Sequence, residues 1–131
     1  MFSLEEIKAA ESKIKTGADF PKFIQEIKAM GVVRNDVYVS NGLSIYFDDE
    51  DNAQQASPEE YPTLIVNDES SAAKLEHALK IHQQGETDYF TFCKHAADAG
   101  VEKWVIDLGH MTCTYLDAEG NELVKEKIPT V

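Results

Sequence analysis

Cysteine and histidine side chains lie close together at two places in the second half of the chain. Cys93 and His95 are two residues apart, and His110 precedes Cys113 by three residues. Residues of these types can form a metal site or a thiolate nucleophile with a histidine base, or the cysteines can pack in the core without any chemistry. The choice depends on the helices and strands that carry them.

A metal site from these four side chains is disfavoured by their spacing. Cys93 and His95 fall on a predicted helix, where two positions are about 200° apart around the axis, so both cannot bind one ion. Zinc frameworks do not use this combination of spacings. The acidic stretch DDEDN at 48–52 offers oxygen ligands but lacks the glycine and closing glutamate of the twelve-residue calcium loop. We therefore predict no metal and no cofactor.

A thiol-dependent enzyme is the chemical alternative. Cys113 would be the nucleophile, His110 at the adjacent turn its base, and Asp107 across the hairpin the residue that orients the histidine. The equivalent strand of the first half is interpreted as burying Leu43, Ile45 and Phe47, a pattern that allows Cys113 to be exposed without deciding which face of its strand is buried. No segment has a spacing that dictates a reaction, so we favour a protein that is not an enzyme.

Three other side chains are candidates for binding a ligand or a partner. Trp104 stands where the first half has Asn35, and it suits either the core or an anchor in a pocket or interface. His82 lies on the apolar side of a predicted helix near its C-terminus, where it is a core or capping histidine or a ligand-binding one. Tyr115 shares a strand face with Cys113.

Hydrophobic periodicity predicts the elements that position these residues. Ser3 and Glu6 form a capping box for the first helix, which places Glu11 on the same face as Ile7 and Ile14. The pair Asn41 and Gly42 indicates a hairpin. The predicted helices are 3–15, 19–30, 71–84 and 88–99, and the predicted strands are 33–39, 43–47, 63–66, 102–108, 111–116 and 122–128.

The chain repeats this order of elements. With a shift of 69 residues, segment 19–52 aligns with segment 88–121 without a gap and with eight identities, where roughly two are expected from ordinary residue usage. The identical pairs are Asp19/Asp88, Phe23/Phe92, Gly31/Gly100, Val32/Val101, Tyr46/Tyr115, Asp48/Asp117, Glu50/Glu119 and Asn52/Asn121. With a shift of 68, the pairs Ser3/Ser71, Ile7/Leu75 and Gly17/Gly85 align.

The duplication predicts an α+β fold. We expect a single domain, 1–131, of two helix-helix-strand-strand-strand units, 1–67 and 68–131. The units either share one antiparallel sheet or pack their sheets face to face, and four helices cover the sheet. A site shaped by this pseudo-symmetry would lie at the junction of the units.

Composition excludes several classes of partner. The 131 residues carry a formal net charge of −12, which disfavours direct binding to nucleic acid and to anionic membranes. No apolar run approaches the roughly 18 residues of a membrane span, and the N-terminal residues do not form a secretory signal. We expect a cytoplasmic protein whose two cysteines stay reduced.

The stretch HQQGETDYFTFCKHAADAGVEKWVIDLGHMTCTYLDAEGN, residues 82–121, resembles a family of small bacterial and prophage proteins, domain of unknown function 1398. A weaker similarity covers DFPKFIQEIKAMGV, residues 19–32. Members are sometimes labelled "phage envelope protein", which implies a link to virions. The resemblance implies no reaction, cofactor or catalytic residue. With the acidic composition, it indicates an accessory cytoplasmic protein carried by mobile elements.

These observations favour a non-enzymatic protein that binds a protein partner or a small ligand, as a homodimer paired through its sheet. Two alternatives from other classes remain. One is the thiol-dependent enzyme, and the other is an acidic mimic of nucleic acid that occupies a DNA-binding protein.

Overall fold

Two pairs of helices alternate with two groups of three strands. The structure, a computed structural model, describes residues 2–14, 19–57 and 61–129. Within these residues the helices are α1 (Leu4–Glu11), α2 (Phe20–Ala29), α3 (Ala72–Gln83) and α4 (Tyr89–Asp98). The strands are β1 (Arg34–Tyr38), β2 (Ser44–Phe47), β3 (Ala53–Ala56), β4 (Val101–Asp107), β5 (Thr112–Asp117) and β6 (Glu122–Lys127).

The strands of the described residues form one antiparallel sheet in the order β3-β2-β1-β4-β5-β6. At its centre β1 pairs with β4, and Asp36 lies opposite Val105. These two residues are equivalent under the 69-residue shift. An antiparallel ladder with equivalent residues facing each other has a local two-fold axis between them. Two similar units therefore meet at this axis, which confirms the predicted α+β fold of paired units on an antiparallel sheet.

Equivalent residues begin the first helix of each unit. The Ser3 hydroxyl accepts a hydrogen bond from the backbone N–H of Glu6, and Ser71 accepts one from Lys74, both at 3.2 Å. This is the N-cap geometry that the shift of 68 predicts. α1 ends at Glu11, before the predicted end at residue 15, and Gly17 lies outside the described residues.

The last hairpin of each unit turns around an aspartate. Asp48 Oδ1 accepts from the backbone N–H of Asn52 at 2.9 Å, and Asp117 Oδ1 accepts from Asn121 at 2.8 Å. Each asparagine side chain also donates to the second oxygen of its aspartate at 3.2 Å. The acidic stretch 48–52 is thus a hairpin turn whose carboxylate satisfies backbone donors.

One predicted strand is wrong. Residues 63–66 form no strand; Leu64 packs on the core and donates its backbone N–H to the carbonyl of Ser40, while Ile65 is 91% exposed. The third strand is instead Ala53–Ala56, which pairs with β2 at the sheet edge. An apolar run of four residues is too short to identify a strand, and an edge strand needs few apolar residues.

The described helices cover one face of the sheet, and we call the other face the open face. Tyr46 is buried on the covered face, whereas Ile45 and Phe47 point to the open face and are only half-buried. The expectation that Ile45 and Phe47 form the buried side of this strand is therefore wrong. Cys113 lies opposite Ile106 on the covered face, so it is buried rather than exposed.

Candidate functional site

Two adjoining cavities lie between the helices and the covered face of the sheet. The first cavity has a volume of about 500 Å³ and the second about 530 Å³. Phe20, His82, Tyr89 and Trp104 line both of them. Volumes of this size are typical of sites for small molecules.

The floor of the first cavity surrounds the pseudo-two-fold axis. Asn35 and Trp104 are equivalent residues, as are Val37 and Ile106, and all four line this cavity. The buried Asn35 side chain donates from Nδ2 to the carbonyl oxygen of Ile45 at 3.1 Å, so its amide is satisfied within the sheet. The cavity therefore lies at the junction of the units and takes its floor from both.

The duplication also relates the two cavities to each other. Phe23, Ser44 and Tyr46 line the first cavity, and their equivalents Phe92, Cys113 and Tyr115 line the second. Phe20 and Tyr89, which line both, are an equivalent pair as well. The two cavities are thus versions of one feature of the repeated unit, and differences between them show where the sequence has diverged.

The clearest difference is the residue that the first helix of each unit contributes, although Glu126 also brings a carboxylate to the second cavity. The Tyr46 hydroxyl donates to Oε1 of Glu11 at 3.0 Å, and Glu11 lines the cavity together with Lys8 from the preceding turn of α1. Burial raises the pKa of Glu11, and the hydrogen bond from Tyr46 partly offsets this rise. Under the shift of 68 the equivalent of Glu11 is Leu79, so the second cavity has an apolar side chain there.

Aromatic rings surround the indole of Trp104. Its ring centroid lies 5.7 Å from those of Phe92 and Tyr115 and 6.3 Å from that of Tyr89. Tyr89 lines both cavities although 51% of its surface is exposed. A large aromatic side chain that stays exposed inside a cavity can stack on a ligand.

Burial disfavours the charged form of His82 beside these rings. Its Nδ1 lies 3.1 Å from both the carbonyl oxygen and the hydroxyl oxygen of Thr87, and its ring stacks on Phe92 at 4.6 Å. A carbonyl oxygen can only accept, which assigns the ring proton to Nδ1 and leaves Nε2 as an acceptor. Burial lowers the pKa of His82 more than its contacts with Thr87 and Asp88 raise it.

The structure brings the three binding candidates of the sequence to one place. Trp104, His82 and Tyr115 all line the second cavity, and Trp104 and His82 also line the first. Sequence reasoning missed Tyr89, Phe20 and the pair of Glu11 with Tyr46. One signal was available for Glu11, because a carboxylate on the apolar face of a helix is unusual.

The three catalytic candidates are not brought together in the same way. Asp107 Oδ2 and His110 Nδ1 form a hydrogen bond of 2.8 Å at the turn, where the His110 side chain is 82% exposed. Burial raises the pKa of Asp107, but the hydrogen bonds from His110 outweigh it and the pKa is lowered. Cys113 is 2% exposed and lies on the covered face, whereas Asp107 pairs with Thr112 on the open face. The thiol of Cys113 and the carboxylate of Asp107 thus lie on opposite sides of the sheet.

We expect neither cysteine to react readily in the native protein. Burial raises the pKa of Cys113 to about 12 and also raises that of Cys93, so almost no thiolate is present near pH 8. Iodoacetamide at pH 8, followed by mass spectrometry, should modify both slowly in buffer and rapidly in urea. Fast modification of Cys113 in buffer, with a midpoint well below pH 9, would instead support the thiol-dependent enzyme.

Among residues 2–14, 19–57 and 61–129, no three histidine, cysteine, aspartate or glutamate side chains converge in a way that could hold a metal ion. Cys93 lies in the core, in α4. In the same part of the chain, every helix is too short or too polar to cross a bilayer.

Comparison with known proteins gives a family without an assigned role. A family model described as a protein of unknown function (DUF1398) matches residues 8–127. This match covers nearly the whole chain and both units. No curated protein matches it.

Proposed function

This chain belongs to the DUF1398 family of proteins of unknown function, so its family assigns it no activity. We propose from the geometry that it is a non-enzymatic protein that binds a small apolar molecule in the first cavity. One observation carries the proposal. Both units build the floor of a cavity of about 500 Å³ around their two-fold axis, and Trp104 is one of the residues that form this floor.

The lining of the cavity suits binding better than catalysis. Rings and aliphatic side chains dominate it, with a few polar groups among them, which is the usual composition of a ligand site. His82 is already bonded to Thr87, and Asp88 accepts the backbone N–H of Thr91 at 2.8 Å as the cap of α4. These polar side chains have structural partners and can still offer their remaining acceptor positions to a ligand.

Trp104 provides the test, because it is the only tryptophan of the chain. The neutral probe N-phenyl-1-naphthylamine fluoresces in apolar surroundings and accepts excitation energy from tryptophan. We expect it to bind saturably, with energy transfer from Trp104 to the probe. Ser44→Phe places a ring in the cavity and should weaken this binding by about tenfold or more.

Ile45→Phe is the matched control for Ser44→Phe. The two residues are adjacent in β2 and both half-buried, but Ile45 points to the open face. We expect Ile45→Phe to leave the affinity within about twofold of the unmodified protein. Far-UV circular dichroism checks that both variants fold. Equal weakening by both substitutions, or the absence of saturable binding, would contradict the proposal.

The other interpretations of the sequence stay hypotheses. The thiol-dependent enzyme requires movement of Cys113 out of the core and towards His110. The homodimer and the nucleic-acid mimic remain predictions from the sequence.

A further inference from the structure

We propose that the ligand of the first cavity is an organic cation, an apolar or aromatic molecule with a single positive charge, whose charge is placed beside Glu11. This inference rests on the proposed function, because it assigns a ligand class to the same cavity. It depends on the charges at the cavity, on its aromatic lining and on a comparison of the two units.

The charges at the first cavity favour a cation. Among the residues that the structure describes, Glu11 and Asp88 contribute carboxylates to the lining and Lys8 contributes an ammonium group, while burial lowers the pKa of His82 and so disfavours its charged form. The whole chain carries a net charge of −12, so its field attracts cations and repels anions before contact. An anionic ligand would have to approach against this field and then lie next to Glu11.

The aromatic lining adds a second attraction for the same class of ligand. Phe20, Phe23, Tyr46, Tyr89 and Trp104 all contribute rings to the first cavity. The faces of such rings attract organic cations through their quadrupoles, and the attraction grows when water is excluded. A ligand with an apolar body and a positive group uses both the rings and the carboxylate.

Comparison of the two units indicates that Glu11 is not required by the fold. The equivalent position in α3 is Leu79, which is buried and packs normally in the second unit. In the first unit a carboxylate stands at this position and accepts the hydroxyl of Tyr46 at 3.0 Å. Glu11 is exposed as a residue, but its carboxylate is partly buried at the cavity, and the resulting desolvation cost raises its pKa although Tyr46 and Lys8 offset part of it. A bound cation would offset that cost.

The experiment compares three naphthalene probes of similar shape by isothermal titration calorimetry. These are (1-naphthylmethyl)trimethylammonium, its neutral carbon isostere 1-neopentylnaphthalene, and the anion 1-naphthalenesulfonate. We expect the cation to bind about tenfold more tightly than the isostere, and the anion more weakly than both. Glu11→Gln should remove most of the preference for the cation and leave the affinity of the isostere within about twofold.

Two further variants on α1 provide controls. Glu5→Gln changes the net charge by the same amount at an exposed position outside the cavity, so it should preserve the preference for the cation. Lys8→Gln removes the ammonium group at the cavity and should strengthen binding of the cation, a result that loss of folding cannot imitate. Because Glu5 and Lys8 are exposed, both variants are expected to fold.

The outcomes separate this inference from the proposed function. If the isostere binds as tightly as the cation, or if Glu5→Gln and Glu11→Gln reduce the preference equally, the assignment to organic cations is wrong while the cavity still binds apolar molecules. If none of the three probes binds, the proposed function itself is wrong. A preference for the cation that depends on Glu11 and not on Glu5 would support both.

Discussion

Replacement of Gly100 by alanine is expected to lower the free energy of unfolding by about 2–5 kcal/mol, whereas the same change at Gly31 should lower it by about 1–2 kcal/mol. These glycines are an equivalent pair, and each follows the second helix of its unit. Their φ angles are +87° and +104°. Alanine at either position has to adopt a backbone conformation that residues with a Cβ atom disfavour.

The larger effect at Gly100 comes from its neighbours. A Cβ atom there would lie 2.6 Å from the Cα of Ser70, whereas at Gly31 it would meet no atom within 4 Å. The backbone of Ser70 cannot move freely, because the next residue, Ser71, donates its N–H to the carbonyl of Ala99 at 2.9 Å. The substitution therefore has to break the docking of the segment before α3 onto the end of α4.

Urea denaturation of the two variants, followed by circular dichroism, measures both effects. The difference between them isolates the contact with Ser70, because the strain from the positive φ is common to both. Equal losses of stability for Gly31→Ala and Gly100→Ala would show that the segment around Ser70 moves away at little cost.

Much of the fold could be predicted because the chain contains the same information twice. A cap such as Ser3 or a turn such as Asp48 is weak evidence by itself, since many loops contain these residues. Each gained weight from its equivalent, Ser71 or Asp117, at the same place in the second unit. The structure has the same hydrogen bonds at both members of each pair.

The sequence was a poorer guide to which face of each strand is buried. Strand β2 alternates between Ser44 and Tyr46 on one face and Ile45 and Phe47 on the other, and hydropathy alone favours burying the second pair. In the structure Tyr46 is the buried residue, and its hydroxyl is satisfied by a hydrogen bond to Glu11, 35 residues away. A long-range hydrogen bond of this kind leaves no local pattern in the sequence.

The candidate site was partly predictable for a similar reason. The duplication indicated the junction of the units, and the replacement of an amide by a large aromatic ring between Asn35 and Trp104 indicated a residue there. The depth of the cavity depends on the distance between the helices and the sheet. Side-chain packing sets this distance, and the hydrophobic periodicity of the sequence carries no information about it. The exposed ring of Tyr89 could therefore not be distinguished from a core residue of α4.

We expect Ile27→Ala in the first unit to destabilise the whole protein by about 2–5 kcal/mol, including the surroundings of Trp104 in the second unit. Ile27 is fully buried in α2, so its truncation leaves a cavity in the core. The effect should reach Trp104 because β1 and β4 pair along five residues at the centre of the sheet. If either unit unfolded alone, it would leave the other with an unpaired central strand.

Trp104 fluorescence and far-UV circular dichroism, recorded in one urea titration, test this coupling. Within each protein, the fluorescence and circular dichroism signals should change at the same urea concentration. Ile27→Ala should lower that concentration for both signals. Leu75→Ala, at a fully buried core position of the second unit, should have the same effect. Ile65→Ala should change the free energy of unfolding by no more than about 0.5 kcal/mol, because Ile65 is exposed. A Trp104 transition that Ile27→Ala leaves unshifted would mean that the units unfold separately. Coincident transitions would mean that the first cavity, which both units line, exists only when both are folded.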